Sequence, residues 1–209
     1  DPRYGGIDAR FIDVLERGID YTLEKYSDQP RVAGVTLMSI GSTLSTLGDL
    51  DRAEDVLLRA YEFRQQTDGV SARELSFAAN SLGMLYKRRS DLRTAKRYYQ
   101  ESLEHARDDP NADDSTMRSI AATNFNLGRM LLSMGEIDEA EPYMLRAVEL
   151  QRQYSPDDEQ VLTFGNGGLG ELYERKLDLE SAEESYRQSL YHARRAFPED
   201  HPYVATGLV

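Results

Sequence analysis

The run GNGGLGELYERKLDLESAEESYRQSLYHAR, residues 165–194, decides how the chain is read. Gly165, Gly167 and Gly170 hold the spacing G-x-G-x-x-G, which belongs to loops that cradle phosphates. Such a loop needs a strand before the glycines and a helix opening on them. Upstream stands SPDDEQVLTF, residues 155–164. Ser155, then Pro156, then three acidic residues read as an N-cap, a first helical position and an acidic first turn. The glycines then lie inside a helix rather than at its mouth. A Gly-rich loop of the kinase type would also place Val two residues after the last Gly, where Leu172 stands. The spacing is therefore not read as a nucleotide site.

The rest of the run has three relatives in the same chain. LMSIGSTLSTLGDLDRAEDVLLRAYEFR, ANSLGMLYKRRSDLRTAKRYYQESLEHAR and NFNLGRMLLSMGEIDEAEPYMLRAVELQ carry Gly41, Gly83 and Gly128 where this one has Gly170. These anchors are 42, 45 and 42 residues apart. Twelve residues after each comes alanine: Ala53, Ala95, Ala140 and Ala182. Sixteen after each comes Leu57, Tyr99, Met144 or Tyr186. Nineteen after each comes Ala60, Ser102, Ala147 or Ser189. A fixed period of this length marks a solenoid, in which each unit buries its apolar face only against its neighbours. Gly and Ala let the paired helices approach. Gly48-Asp49, Ser90-Asp91, Gly135-Glu136 and Leu177-Asp178 read as the turns, and Ser71 with Glu74 reads as a capping box. A second period of 87 residues links Gly41 to Gly128 and Gly83 to Gly170, as if a two-repeat unit had been duplicated.

These residues resemble tetratricopeptide repeats, in the kinesin-light-chain variety with its period of about 42 residues. PEDHPYVAT, residues 198–206, is similar to the segment that opens another such repeat. The resemblance implies an all-α, right-handed superhelical solenoid of helix-turn-helix repeats. Its expected divisions are a capping helix at 1–28, repeats at 29–69, 70–110, 111–155 and 156–198, and the start of a fifth at 199–209. Leu15, Gly18 and Ile19 put the first segment in register with a second helix, and Phe11 replaces the repeat alanine there. The opening sixty or so residues also look like the start of the repeat region in bacterial serine/threonine kinases, although no His-Arg-Asp or Asp-Phe-Gly occurs here. The chain starts at Asp1 without Met and reads as a piece of something longer.

Composition narrows the function classes. The chain has 25 basic and 37 acidic residues, net −12, which argues against sequence-independent binding to nucleic acid or anionic membranes. There is no cysteine, so disulfides and thiolate metal sites are excluded. No apolar run is long enough to span a bilayer. His105 and His192 are 87 apart near helix ends, where the dipole favours them; His201 falls in the loop between repeats. The acidic clusters Asp108-Asp109, Asp113-Asp114 and Asp157-Asp158-Glu159 read as N-caps and solvated faces, without the glycine and terminal Glu of a Ca²⁺ loop. The expectation is no catalytic residue, no cofactor and no metal.

Function then belongs to a surface. The resemblance implies a groove formed by the first helix of each repeat, at positions three before and one, four and five after the anchor Gly. These are Met38, Ser42, Ser45 and Thr46; Asn80, Met84, Lys87 and Arg88; Phe125, Arg129, Leu132 and Ser133; and Gly167, Glu171, Glu174 and Arg175. The family's backbone-holding Asn, two before the anchor, is matched only by Asn126. The candidate peptide-binding set is Asn80, Met84, Lys87, Arg88, Phe125, Asn126, Arg129, Leu132 and Arg175. Four cations against two carboxylates, among apolar residues, imply a protein or peptide partner with acidic and apolar residues. The alternative is a regulatory, sensor or self-association segment of a kinase. That parent could be membrane-anchored, with this part on either side of the membrane.

Overall fold

The computed structural model describes residues 2–107 and 112–205. Every described element is an α-helix. They are α1 (Pro2–Lys25), α2 (Pro30–Leu47), α3 (Leu50–Gln65), α4 (Ala72–Arg88), α5 (Leu92–Arg107), α6 (Asp114–Met134), α7 (Ile137–Tyr154), α8 (Glu159–Arg175), α9 (Leu179–Ala196) and α10 (Pro202–Ala205). The helices form two compact units, Asp1–Pro110 and Asn111–Val209. In the first, α2 pairs with α3 and α4 with α5, and α1 packs on α2; in the second, α6 pairs with α7 and α8 with α9. The Asp108–Asp109 pair and Thr206 lie outside the described residues.

Each pair closes on its anchor glycine. A Cβ on Gly41, Gly83, Gly128 or Gly170 would lie 2.5–2.8 Å from carbon atoms of Leu57, Tyr99, Met144 and Tyr186, respectively. The alanines four residues earlier on those helices, Ala53, Ala95, Ala140 and Ala182, are buried. Small residues are needed because the two backbones cross there with no room for a side chain on the first helix.

The turns follow their residues. Gly48 and Gly135 adopt φ of 89° and 80°, the left-handed conformation that glycine enters without a Cβ penalty. Ser90 and Leu177 take the same conformation at φ 62° and 61°. Asp49, Asp91 and Asp178 then accept from the backbone N–H three residues on, as N-caps do. Ser71 and Glu74 form the reciprocal capping box. The reading of Ser155 as an N-cap is corrected: Ser155 ends α7, and Asp158 caps α8 by accepting from the Val161 N–H at 3.0 Å. Both residue types suit a cap, and the four-residue turn between the helices, residues 155–158, decides in favour of Asp158. Asp113 caps α6 in the same way.

The 87-residue register recurs in side-chain contacts. Ser102 donates to the Ser76 carbonyl at 2.8 Å, and Ser189 to the Thr163 carbonyl at 2.9 Å. Arg89 pairs with Glu54 at 2.8 Å, and Lys176 with Glu141 at 2.6 Å. Each contact appears once in each unit.

Candidate functional site

In the first unit, the expected surface lies on α2 and α4. Met84 is 48% exposed, and Lys87 and Arg88 are exposed beside it. Asn80 is buried, and its amide donates weakly to the Met84 sulfur at 3.7 Å. Asn80 therefore supports Met84 rather than presenting a surface of its own. On α2, Met38 is 2% exposed and Ser45 is buried, so both are packing residues. This corrects their assignment to a groove.

In the second unit, Arg129 and Arg175 are exposed, and Phe125 and Asn126 are half-buried. The Arg129 guanidinium lies over the Phe125 ring, 5.9 Å from its centroid. Glu171 stands between the two arginines, 3.8 Å from Arg129 and 2.9 Å from Arg175. Arg175 also donates to the Leu132 carbonyl at 2.7 Å. Leu132 itself is 0% exposed. Its side chain is core, and only its backbone oxygen takes part in the surface. Glu174 accepts from the Tyr186 hydroxyl at 2.7 Å and so turns towards α9. The two arginines thus face one carboxylate, not two.

Gly167 was expected on this surface. A Cβ there would instead meet the Ser189 oxygen at 3.2 Å, so Gly167 borders α9. A Cβ on Gly168 would meet Met144 and Phe125, so Gly168 lets α8 approach the preceding pair. The glycine run serves close packing on two sides of one helix.

Beside Phe125 and Asn126 opens a cleft of about 230 Å³ between α6, the end of α7 and α8. Its walls include Ala121, Ala122, Val161 and Phe164, with Gln151 inside and Arg118 and Asp158 also lining it. Of these, sequence reasoning had singled out only Phe125, Asn126 and Asp158, the last as part of an acidic cluster. The neighbouring Phe164 ring continues into an aromatic cluster with Phe197 and Tyr203, centroids 6.3 and 5.1 Å away. His201 stacks on Phe197 at 4.1 Å. His192 bonds Glu159 at 2.6 Å, and Arg195 bonds the other oxygen of that carboxylate. These contacts hold the Glu159 carboxyl below the usual range, the His192 hydrogen bond most of all. Among the described residues, no group of three or more His, Asp or Glu side chains could hold a metal ion. No described helix is long and apolar enough to cross a membrane.

Comparison with known proteins agrees with this architecture. Residues 33–108 match one tetratricopeptide-repeat model and residues 121–154 match another. The chain carries tetratricopeptide repeats. Among solved structures, BtubC (BKLC) from P. vanneervenii is similar with a TM-score of 0.82 at 18% identity, covering 96% of this chain and 80% of that one. At that identity the likeness speaks for the fold alone. YrrB, described as a TPR protein with an unusual peptide-binding site, is 16% identical over 91% of this chain and 88% of that one, with a TM-score of 0.48. No curated protein matches in sequence.

Proposed function

We propose that the chain is a non-catalytic scaffold that binds a protein or peptide segment on the exposed faces of its first helices. The observation that carries this reading is Arg129, spread over Phe125 beside Asn126, with Arg175 on the next first helix and Glu171 as the shared counter-charge. Exposed cations over an apolar floor stand out in a chain of net charge −12. Such a mixture suits a segment with acidic and apolar residues. Met84, Lys87 and Arg88 give α4 a comparable composition in the first unit. The repeat period of about 42 residues favours the kinesin-light-chain variety of the fold. A peptide array probed with the whole chain tests the reading. Enriched sequences should combine acidic and apolar residues, and binding should weaken as salt rises. Enrichment of basic peptides would sink it.

A second reading, a regulatory or self-association segment attached to a bacterial kinase, draws support from α1. Phe11, Val14 and Tyr21 lie three and seven residues apart on that helix and are 46%, 56% and 57% exposed. Sedimentation velocity over a range of concentrations tests self-association. A monomer throughout would remove that part of the reading.

A further inference from the structure

The 87-residue register allows the two units to be compared position by position, and one comparison explains the cleft. In the first unit Arg64 is 6% exposed. Its Cγ lies 3.2 Å from where a Cβ on Gly34 would stand. Its guanidinium donates to the Glu74 carbonyl at 3.3 Å and lies 3.7 Å from the Glu74 carboxylate, which also faces Arg31 at 3.5 Å. The matching residues of the second unit are Gln151 for Arg64, Ala121 for Gly34, Val161 for Glu74 and Arg118 for Arg31. The long cation and its carboxylate are replaced by a shorter amide and a valine. The cleft of about 230 Å³ lies among these second-unit residues.

Gln151 is only 6% exposed, and its Oε1 has no hydrogen-bond partner. Oε1 sits against Gly165, where a Cβ would overlap it. That placement suits a weak Cα–H···O contact. Gln151 lines the cleft, and with Oε1 turned to Gly165 its amide NH₂ is the polar end left to meet a ligand there. An acceptor brought to that donor makes a hydrogen bond worth about 0.5–1.5 kcal/mol net, so an occupant that supplies one is favoured.

We propose that this cleft is a side-chain subsite for an extended peptide. It receives an apolar side chain of leucine, methionine or phenylalanine size, and the adjoining main-chain carbonyl of the ligand accepts from the Gln151 amide. The proposal rests on the peptide-binding reading above and adds the class of residue bound. The walls of Ala121, Phe125, Val161 and Phe164 call for an apolar group. The size is sufficient, since an apolar cavity of about 150 Å³ holds a benzene-sized molecule. Arg118 and Asp158 on the lining offset each other in charge, so neither sign of occupant is selected and a neutral carbonyl suits the acceptor place.

The test uses capped amino acids on the whole chain, followed by NMR. N-acetyl-leucine methylamide and its phenylalanine analogue are compared with the aspartate and arginine analogues. The apolar probes should shift the resonances of Ala122, Val161 and Gly165, with the charged ones binding about tenfold more weakly. Gln151→Arg together with Val161→Glu rebuilds the filling that the first unit tolerates, and should abolish the shifts. Should that variant lose its cooperative unfolding, Val161→Phe fills the same space with apolar bulk and should do likewise. Gln151→Ala keeps the space but removes the donor, and should weaken the leucine probe about fivefold. The subsite is overturned if the apolar probes leave those resonances unmoved, if a charged probe binds best, or if shifts persist in the filled variant. The two readings separate cleanly. Array peptides that bind the filled variant as well as the parent would remove the subsite and leave the peptide-binding face standing. Leucine-probe binding at the cleft with an array that enriches nothing would do the reverse.

Discussion

A Cβ placed on Gly83 would lie 2.7 Å from the ring of Tyr99, and that ring is fully buried. The equivalent Gly170 faces Tyr186 at 2.5 Å, but Tyr186 is 41% exposed. One packing solution is therefore held rigidly in the first unit and loosely in the second.

Alanine substitution should rank accordingly. Each replacement gains about 1 kcal/mol of helix propensity, and overpacking costs about 1–3 kcal/mol. Tyr99 has nowhere to go, so Gly83→Ala should be clearly destabilising. Tyr186 can swing outwards, so Gly170→Ala should cost less. Gly167→Ala, which meets only the Ser189 hydroxyl at 3.2 Å, should be close to neutral. Urea denaturation of the three variants checks the order. Equal effects would mean that the crossings are not set by these glycines.

Tyr99 carries a second consequence. Its hydroxyl is buried without a hydrogen-bond partner, and burial pushes its pKa upwards. Its counterpart Tyr186 donates to Glu174. Tyr99→Phe removes an unsatisfied polar atom and should stabilise by up to about 1–2 kcal/mol. Tyr186→Phe should be neutral or slightly destabilising. A loss of stability in Tyr99→Phe would show that the hydroxyl is bonded in solution.

The helix crossings were legible because they depend on spacing, and spacing is what a repeat displays. Gly83 and Tyr99 lie sixteen residues apart in every copy, whatever the second residue is. Faces were harder to read. Leu132 follows Gly128 by four residues and was placed with Met38 on an open surface, yet both are buried. A residue four after the anchor lies near the boundary of the packed face, and neighbouring helices set where that boundary falls. The start of α8 was ambiguous because Ser155 and Asp158 both suit a cap. The cleft was hidden for another reason: it is made by what Gln151 and Val161 lack. Aligning Arg64 with Gln151 at 87 residues would have exposed the loss, since a long cation and its carboxylate disappear together.

Leu177 is a turn residue with the wrong side chain for its conformation. It has φ 61° and is 83% exposed, so its leucine gains no burial to offset the strain. The corresponding turns at Gly48 and Gly135 use glycine. A left-handed conformation costs a non-glycine residue roughly 1–2 kcal/mol, and part of that returns as entropy when glycine replaces it. Leu177→Gly should raise stability by about 0.5–1 kcal/mol, read as a higher melting temperature. No change, or a decrease, would place a binding or packing role on that exposed side chain.

Glu159 links the start of α8 to the end of α9 through His192 and Arg195. Its carboxyl is held below the ordinary value, chiefly by the His192 hydrogen bond. A depressed carboxylate contributes stability above its unfolded pKa of about 4.3, and the contribution is lost as pH falls through the lower folded value. Glu159→Gln should therefore be less stable than the parent at neutral pH. The difference should shrink as the solution is acidified below pH ~4. Denaturant midpoints at several pH values check this. A difference independent of pH would mean that the contact is geometric and not ionic.

Arg129 decides the peptide-binding reading. Its side chain is 47% exposed, lies over Phe125 and faces Glu171 at 3.8 Å. Replacing it with Glu removes the cation and sets two carboxylates beside each other, while touching little of the core. Stability should change by no more than about 0.5 kcal/mol, as for most surface substitutions. Binding of an array-selected acidic and apolar peptide should fall by about 1–3 kcal/mol, the scale of a hydrogen bond to a charged group. Arg129→Lys should recover part of the loss, because charge is kept while planar stacking on Phe125 is not. The expected loss should also diminish at high salt, where the electrostatic part is screened. A folded Arg129→Glu protein that binds the selected peptide as tightly as the parent would place the ligand on another surface.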